Sequence, residues 1–263
     1  MNAVFIESVG LAAPGLPSWR EGLATLRGEQ PYVDTPLPPH TPLLLPLNER
    51  RRATTAIRLA FQAAEDATQA TALPAASLAT VFASSDADIN IIHRICLALS
   101  ATPRLISPTD FHNSVHNAAA GYWSIAAGAR AASTTLSAHD GSFGAGLMEA
   151  CSQVLVDGCN VLLVVFDIPA PEPLNATRFI ACPAAAALVL TRQPTAQSLA
   201  ALACATTVDE EARIEDPALE QLRLGNPATR ALPLLRALAM RQFGQVVLPM
   251  TPGANLAIDL RAP

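Results

Sequence analysis

The run Asn160-Val161-Leu162-Leu163-Val164-Val165-Phe166 constrains the fold of this chain more than any other segment. A strand that shows no alternation of apolar and polar residues is buried on both faces, and a sheet achieves that only when helices cover both sides. Strand-like and helix-like segments alternate on either side of this run, which predicts a layered α/β sheet. The length of 263 residues and a hydrophobic content of 51% are enough for one large domain over 1–263.

Residues 3–9 have the β-branched and aromatic content of an opening strand, ended by Gly10 and Pro14-Gly15. Prolines crowd residues 31–46 and exclude regular structure there, predicting a surface loop. A helix is expected over 50–71, with Ile57, Ala60, Phe61 and Ala64 on one stripe, followed by a strand at 80–84 and a helix at 88–100. Ser114 stands where it could cap a further helix whose Val115, Ala118, Ala119 and Tyr122 face inward. A strand at 134–137 and a helix at 143–156 precede the apolar run. Residues 184–191 and 198–207 read as an antiparallel pair of strands, and the tail as one helix at 229–243 and one strand at 245–248.

Charged residues make up 15% of the chain and the net charge is −5, so no basic face for nucleic acid or anionic lipid is expected. All 17 basic residues are arginine, a bias that carries little functional weight. Five cysteines without a spaced framework point to a reducing, cytoplasmic setting. No apolar run reaches the roughly 20 residues of a membrane-spanning helix. The apolar excess implies a large buried interface.

Three constellations invite chemistry. His112 and His116, four apart, could present two imidazoles on one helical face to a metal, yet no acidic or cysteine third ligand stands at a suitable spacing. The alternative is that Asn113, Ser114 and Asn117 make helix-start hydrogen bonds while the two histidines line a subunit contact. Ser137, His139 and Asp140 are the parts of a catalytic triad, but neighbours on one turn point in different directions. They suit better a role in satisfying turn amides. Gly141, Gly144 and Gly146 fit no phosphate-loop pattern and instead allow close helix packing. Phe143 reads as core, and Tyr122 and Trp123 read equally as core or interface. No cofactor or metal is implied.

The order Phe111-His-Asn-Ser-Val-His-Asn117, Ala118-Ala-Ala-Gly-Tyr-Trp-Ser-Ile125, a strand at Thr134-Thr135-Leu136-Ser137, and the turn Ser137-Ala-His-Asp-Gly141 leading into a Gly-rich helix resembles the centre of a β-ketoacyl synthase of the thiolase superfamily. The resemblance covers about residues 1–205 and is strongest over 105–170. It implies a thiolase-like layered αβαβα fold, with 1–205 as the first half and 206–263 as a shortened remnant of the second. Laying the family's T-A-C-A-S-G turn on residues 136–141 puts Ala138 where the nucleophilic cysteine would stand, and an alanine methyl cannot carry an acyl group. The family's two further catalytic residues, usually both histidine, lie in the second half, whereas His139 is the last histidine here.

Two branches share such losses: chain-length factors of type II polyketide synthases, and the short synthase-like proteins of aryl polyene and xanthomonadin-type pigment pathways, which match more closely. The resemblance then implies a non-catalytic subunit that pairs with an active ketosynthase through strand 134–137. His112, His116, Asn117, Ala138, His139, Asp140 and Phe143 would lie at the tunnel and elbow, with acyl carrier protein docking on the partner. In isolation the chain is expected either to be poorly soluble or to form a homodimer through the same strand. The competing expectation is a serine-dependent acyltransferase or thioesterase using Ser114 or Ser137.

Overall fold

A computed structural model describes residues 3–263. In chain order the elements are β1 (Val4–Ala12), α1 (Trp19–Leu26), α2 (Leu47–Arg52), α3 (Thr55–Gln69), β2 (Ala79–Ala83), α4 (Ile89–Ser100), α5 (Pro108–Asn113), α6 (Ala118–Ala127), β3 (Ser133–Leu136), α7 (Ser142–Ser152), β4 (Val161–Asp167), α8 (Leu174–Thr177), β5 (Ala184–Thr191), β6 (Ala200–Thr207), α9 (Pro217–Gly225), α10 (Leu232–Met240), β7 (Gly244–Thr251) and β8 (Ala254–Arg261). The strands form one eight-stranded sheet in the order β3-β2-β4-β5-β1-β6-β8-β7. Strands β3, β2 and β4 are parallel, and every other pairing is antiparallel.

Strand β4 is buried along its whole length, as its composition requires. Val161, Leu163 and Val165 face a core shared with Leu26, Phe143, Leu147 and Leu235. Leu162, Val164 and Phe166 face a second core built with Ile57, Phe61, Tyr122 and Trp123. Trp123 stacks edge-on against Phe61 at a centroid distance of 5.2 Å. Helices on both faces thus produce the layered α/β arrangement, with α1, α7, α9 and α10 on one side and α3 and α6 on the other.

Several expectations are corrected. Gly10 does not end the first strand; it lies within β1 where α3 crosses the sheet, and a Cβ there would stand 1.9 Å from the carbonyl oxygen of Ala63. The helix expected over 50–71 is two helices, because Ala53 is extended and the hydroxyl of Thr54 accepts from Ile57 N to start α3. Strands β5 and β6 are not the antiparallel pair expected: β1 lies between them and runs antiparallel to both, so β5 and β6 point the same way without touching. Helix α7 ends at Ser152 and widens into a π turn at Gln153–Asp157. The tail adds α9 and α10 and a β7-β8 hairpin, more than the one helix and one strand expected.

The stretch 105–127 also departs from expectation. Ser107 rather than Ser114 caps a helix, its hydroxyl accepting from Asp110 N, and Pro108 fills the first helical position. Ser114 closes α5 by donating its hydroxyl to Phe111 O (2.8 Å). Val115 is 52% exposed rather than inward. His112 therefore lies in α5 and His116 in the break before α6, not on one helical face. Among the described residues no helix is long and apolar enough to cross a membrane.

Candidate functional site

The carboxyl ends of the parallel strands are where an α/β sheet exposes a crevice for chemistry. Here β2 is followed by Ser84-Ser85 and β3 by Ser137-Ala138, and β4 ends at Asp167. The Asp167 carboxylate accepts from Ser84 Oγ (2.9 Å), Ser85 N (2.9 Å) and Ser85 Oγ (2.8 Å), clamping β2 to β4. Ser137 Oγ donates to Ser85 O (2.8 Å), which ties β3 to the same turn. His116 Nε2 lies 3.1 Å from Ser84 O. One serine pair thus holds together all three strand ends. A Ser-Ser dipeptide just past a strand and an acid closing an apolar run were the only sequence signals for this clamp.

The turn after β3 is a strained elbow. His139 has φ of 53°, in the region that disfavours side chains, and Ala138 just before it is extended in φ at −145°. Ser142 Oγ accepts from Ala138 N (3.1 Å) and donates to His139 O (2.7 Å), so Ser142 rather than Ser137 or Asp140 satisfies the turn. Behind the elbow Gly141 and Gly144 bring the start of α7 against β7: a Cβ on Gly141 would stand 2.0 Å from Met250 O, and one on Gly144 2.3 Å from Pro249 O.

Asp140 points away from the turn into an ion network. Arg178 Nη2 is 2.9 Å and Arg230 Nη2 3.7 Å from its carboxylate, and Arg178 also reaches Asp86 at 3.6 Å. Arg230 continues to Glu211 (3.5 Å), which Arg223 joins at 2.9 Å. The two arginines come from the β4–β5 loop and from the turn before α10, so residues some 40 and 90 positions downstream converge on the elbow. Nothing in the local sequence around either arginine signals that role.

The remaining expected site residues are placed as follows. Ser137 and His139 make no hydrogen bond to each other, and His139 Nδ1 is 3.8 Å from Asp140, so no serine triad assembles. His112 is exposed with its ring edge-on to Tyr122, and Asn117 begins α6 without a side-chain cap, contrary to the helix-start role expected for it. Asn113 instead donates to Arg52 O (3.0 Å). Phe143, Tyr122 and Trp123 are core. Thr134 Oγ1 accepts from Gln153 Nε2 (2.9 Å), while β3 itself is half-exposed at the sheet's edge. Among the described residues no group of three His, Cys, Asp or Glu could hold a metal. Cys151 is no substitute nucleophile: Cys204, 3.9 Å away, and burial hold its thiol protonated by raising its pKa.

Asp167 is 1% exposed, and burial raises its carboxyl pKa to about 7 against the lowering effect of the Ser84 and Ser85 hydrogen bonds. The folded pKa lies above the unfolded one, so the stabilising contribution is complete below about pH 4 and is lost as pH rises through about 7. Wild type is expected to lose on the order of 4 kcal/mol more than Asp167→Asn across that window, at 1.36 kcal/mol per pKa unit. Urea titrations at pH 4 and pH 8 measure the difference, and equal slopes for both proteins would exclude Asp167 as the source.

Residues 25–243 match the family model for the β-ketoacyl synthase N-terminal domain, and the chain belongs to that family. No curated protein matches its sequence. Among solved structures it is similar to a ketosynthase in complex with its chain length factor from Xenorhabdus doucetiae, with 24% identity, a TM-score of 0.74, and coverage of 98% of this chain and 99% of the other. The ishigamide ketosynthase/chain length factor aligns at 12% identity and TM-score 0.76 over 99% of both chains. A ketosynthase from module 1 of the bacillaene synthase of Bacillus amyloliquefaciens aligns at 11% identity and TM-score 0.57, covering 81% of this chain but 47% of that one. These similarities establish the thiolase-like fold.

Proposed function

We propose that this chain is a non-catalytic, chain-length-factor-type subunit that pairs with a catalytic ketosynthase and shapes the tunnel for its acyl product. The elbow carries the reading: the chain keeps the fold of its family, the alignment of the turn in the sequence puts Ala138 at the nucleophile position, and Asp140 beside it is engaged by Arg178 and Arg230. The likeness in fold supports it too, since the chain aligns over nearly its whole extent with chains in two structures described as ketosynthase and chain length factor.

Strand β3 offers an unpaired edge, and the segment joining β2 to β3 bears exposed Leu97, Leu105, Phe111, Val115 and Ile125. An unpaired edge beside apolar side chains is a surface that needs a partner. In this reading the partner supplies the cysteine and both histidines, acyl carrier protein docks on the partner, and the product is a polyene of the aryl polyene or xanthomonadin type made in the cytoplasm. The 111–123 stretch and the elbow then form the floor of the shared tunnel, and the chain alone forms a homodimer through β3.

Gly121 tests the tunnel. It lies exposed on α6, and a Cβ there meets nothing within 4 Å. Gly121→Ala is expected to stabilise the chain by up to about 1 kcal/mol without altering the product, while Gly121→Phe shortens the product and leaves elongation running. Co-expression with a ketosynthase, size-exclusion chromatography and a malonyl-thioester elongation assay read both effects. A one-to-one complex that elongates only with both chains supports the pairing; a ketosynthase that elongates alone to the same length removes it.

A further inference from the structure

A cleft of about 820 Å³ opens away from the elbow turn, between the proline-rich loop at 37–40, the junction of α2 and α3, the first turns of α4 and α5, and residues 168–169 after β4. Asn113 borders it from the 111–123 stretch, but the pairing reading gives no role to its apolar wall or to its arginines. One wall is apolar, from Leu37, Pro38, Pro39, Leu59, Ile168 and Pro169. The other carries Arg51, Arg52 and Arg58.

The charge does not cancel within the cleft. Asp110 is taken up by Arg94, 2.7 Å away, and Asp88 caps α4 by accepting from Ile91 N. His40 is held by Glu65 at 2.8 Å. Of the remaining three guanidinium groups, exposed Arg52 reaches the half-buried Glu49 at 3.4 Å, and Arg51 has no hydrogen bond or ion pair among the described residues. Arg58 is fixed in place by donating from Nε to Ala53 O (3.1 Å) and from Nη2 to Arg50 O (3.2 Å), which leaves Nη1 without a protein partner among the described residues. Pre-positioned guanidinium groups are suited to a planar or tetrahedral oxyanion, and a volume of this size takes a drug-sized molecule.

We infer that this cleft binds a small amphipathic anion, its carboxylate or phosphate head on Arg51, Arg52 and Arg58 and its apolar body along the leucine and proline wall. The site stands whether or not the chain pairs with a ketosynthase, so its test uses the full chain by itself. Isothermal titration with decanoate, decyl phosphate and decanol separates the head group from the tail. Saturable one-site binding of at least one anion, at least tenfold tighter than decanol, is expected, and the tighter of the two anions identifies the head.

The double substitution Arg51→Ala with Arg52→Ala, at two exposed positions, is expected to weaken the anion at least tenfold, leave decanol unchanged, and leave the melting temperature of the free chain unchanged. Equal affinity for anion and alcohol, retention of anion affinity by the double variant, or no saturable binding would each overturn the site. Co-purification with a ketosynthase is scored separately, so loss of pairing and loss of the ligand site are told apart.

Discussion

Thr135→Pro is expected to abolish association with a ketosynthase while leaving this chain folded. On the inner side of β3, the amides of Thr80 and Ser84 in and after β2 donate to Ala132 O (2.9 Å) and Leu136 O (3.2 Å). Backbone groups of successive strand residues point to alternate sides, so the even-numbered residues of β3 serve β2, and Ser133 and Thr135 direct their N–H and C=O groups to the open edge. Proline at 135 removes the outward donor without touching the β2 ladder, and its ring occupies the space a partner strand needs.

Leaving the partner's acceptor unpaired costs about 1–3 kcal/mol, and the steric conflict adds to it, so affinity falls roughly a hundredfold or more. Pull-down of the co-expressed pair and a melting curve of the free variant measure the two halves of the expectation. A variant that co-purifies like wild type would falsify strand pairing through β3, while leaving open contact through α4–α6.

Gly141→Ala is expected to cost about 3 kcal/mol or more and to lower the melting temperature by about 10 °C. The methyl group would lie 2.0 Å from Met250 O and 2.3 Å from its carbonyl carbon, atoms of the β7 backbone that cannot rotate aside as a side chain would. Either α7 lifts away from β7 or the hairpin shifts, and both disturb the elbow that precedes Gly141 by two residues at His139. The control is Gly128→Ala, at a position with φ of 64° and nothing within 4 Å, where the cost is the backbone conformation alone, about 1 kcal/mol. Equal melting temperatures for the two variants would show that the close approach of α7 to β7 is not maintained.

Sequence reading located the elbow and the elements around it because their signals are local. The unbroken apolar run of β4, the breaks at the proline-rich loop and the Gly-rich start of α7 each depend on residues within a few positions of one another. The same locality misled it at Gly10, where a residue that reads as punctuation is needed for α3 to cross β1, and at Ser114, where the hydroxyl closes a helix rather than opening one.

The sequence by itself determined that the chain builds a sheet covered on both faces, because six consecutive apolar residues from Val161 to Phe166 have no other stable burial. Tertiary structure alone decided that β1 separates β5 from β6, that β3 is left at the edge, and that Arg178 and Arg230 meet at Asp140. Strand order and long-range ion pairing depend on which surfaces come together after collapse, and residues 40 to 90 positions apart leave no periodicity in the chain that records their meeting.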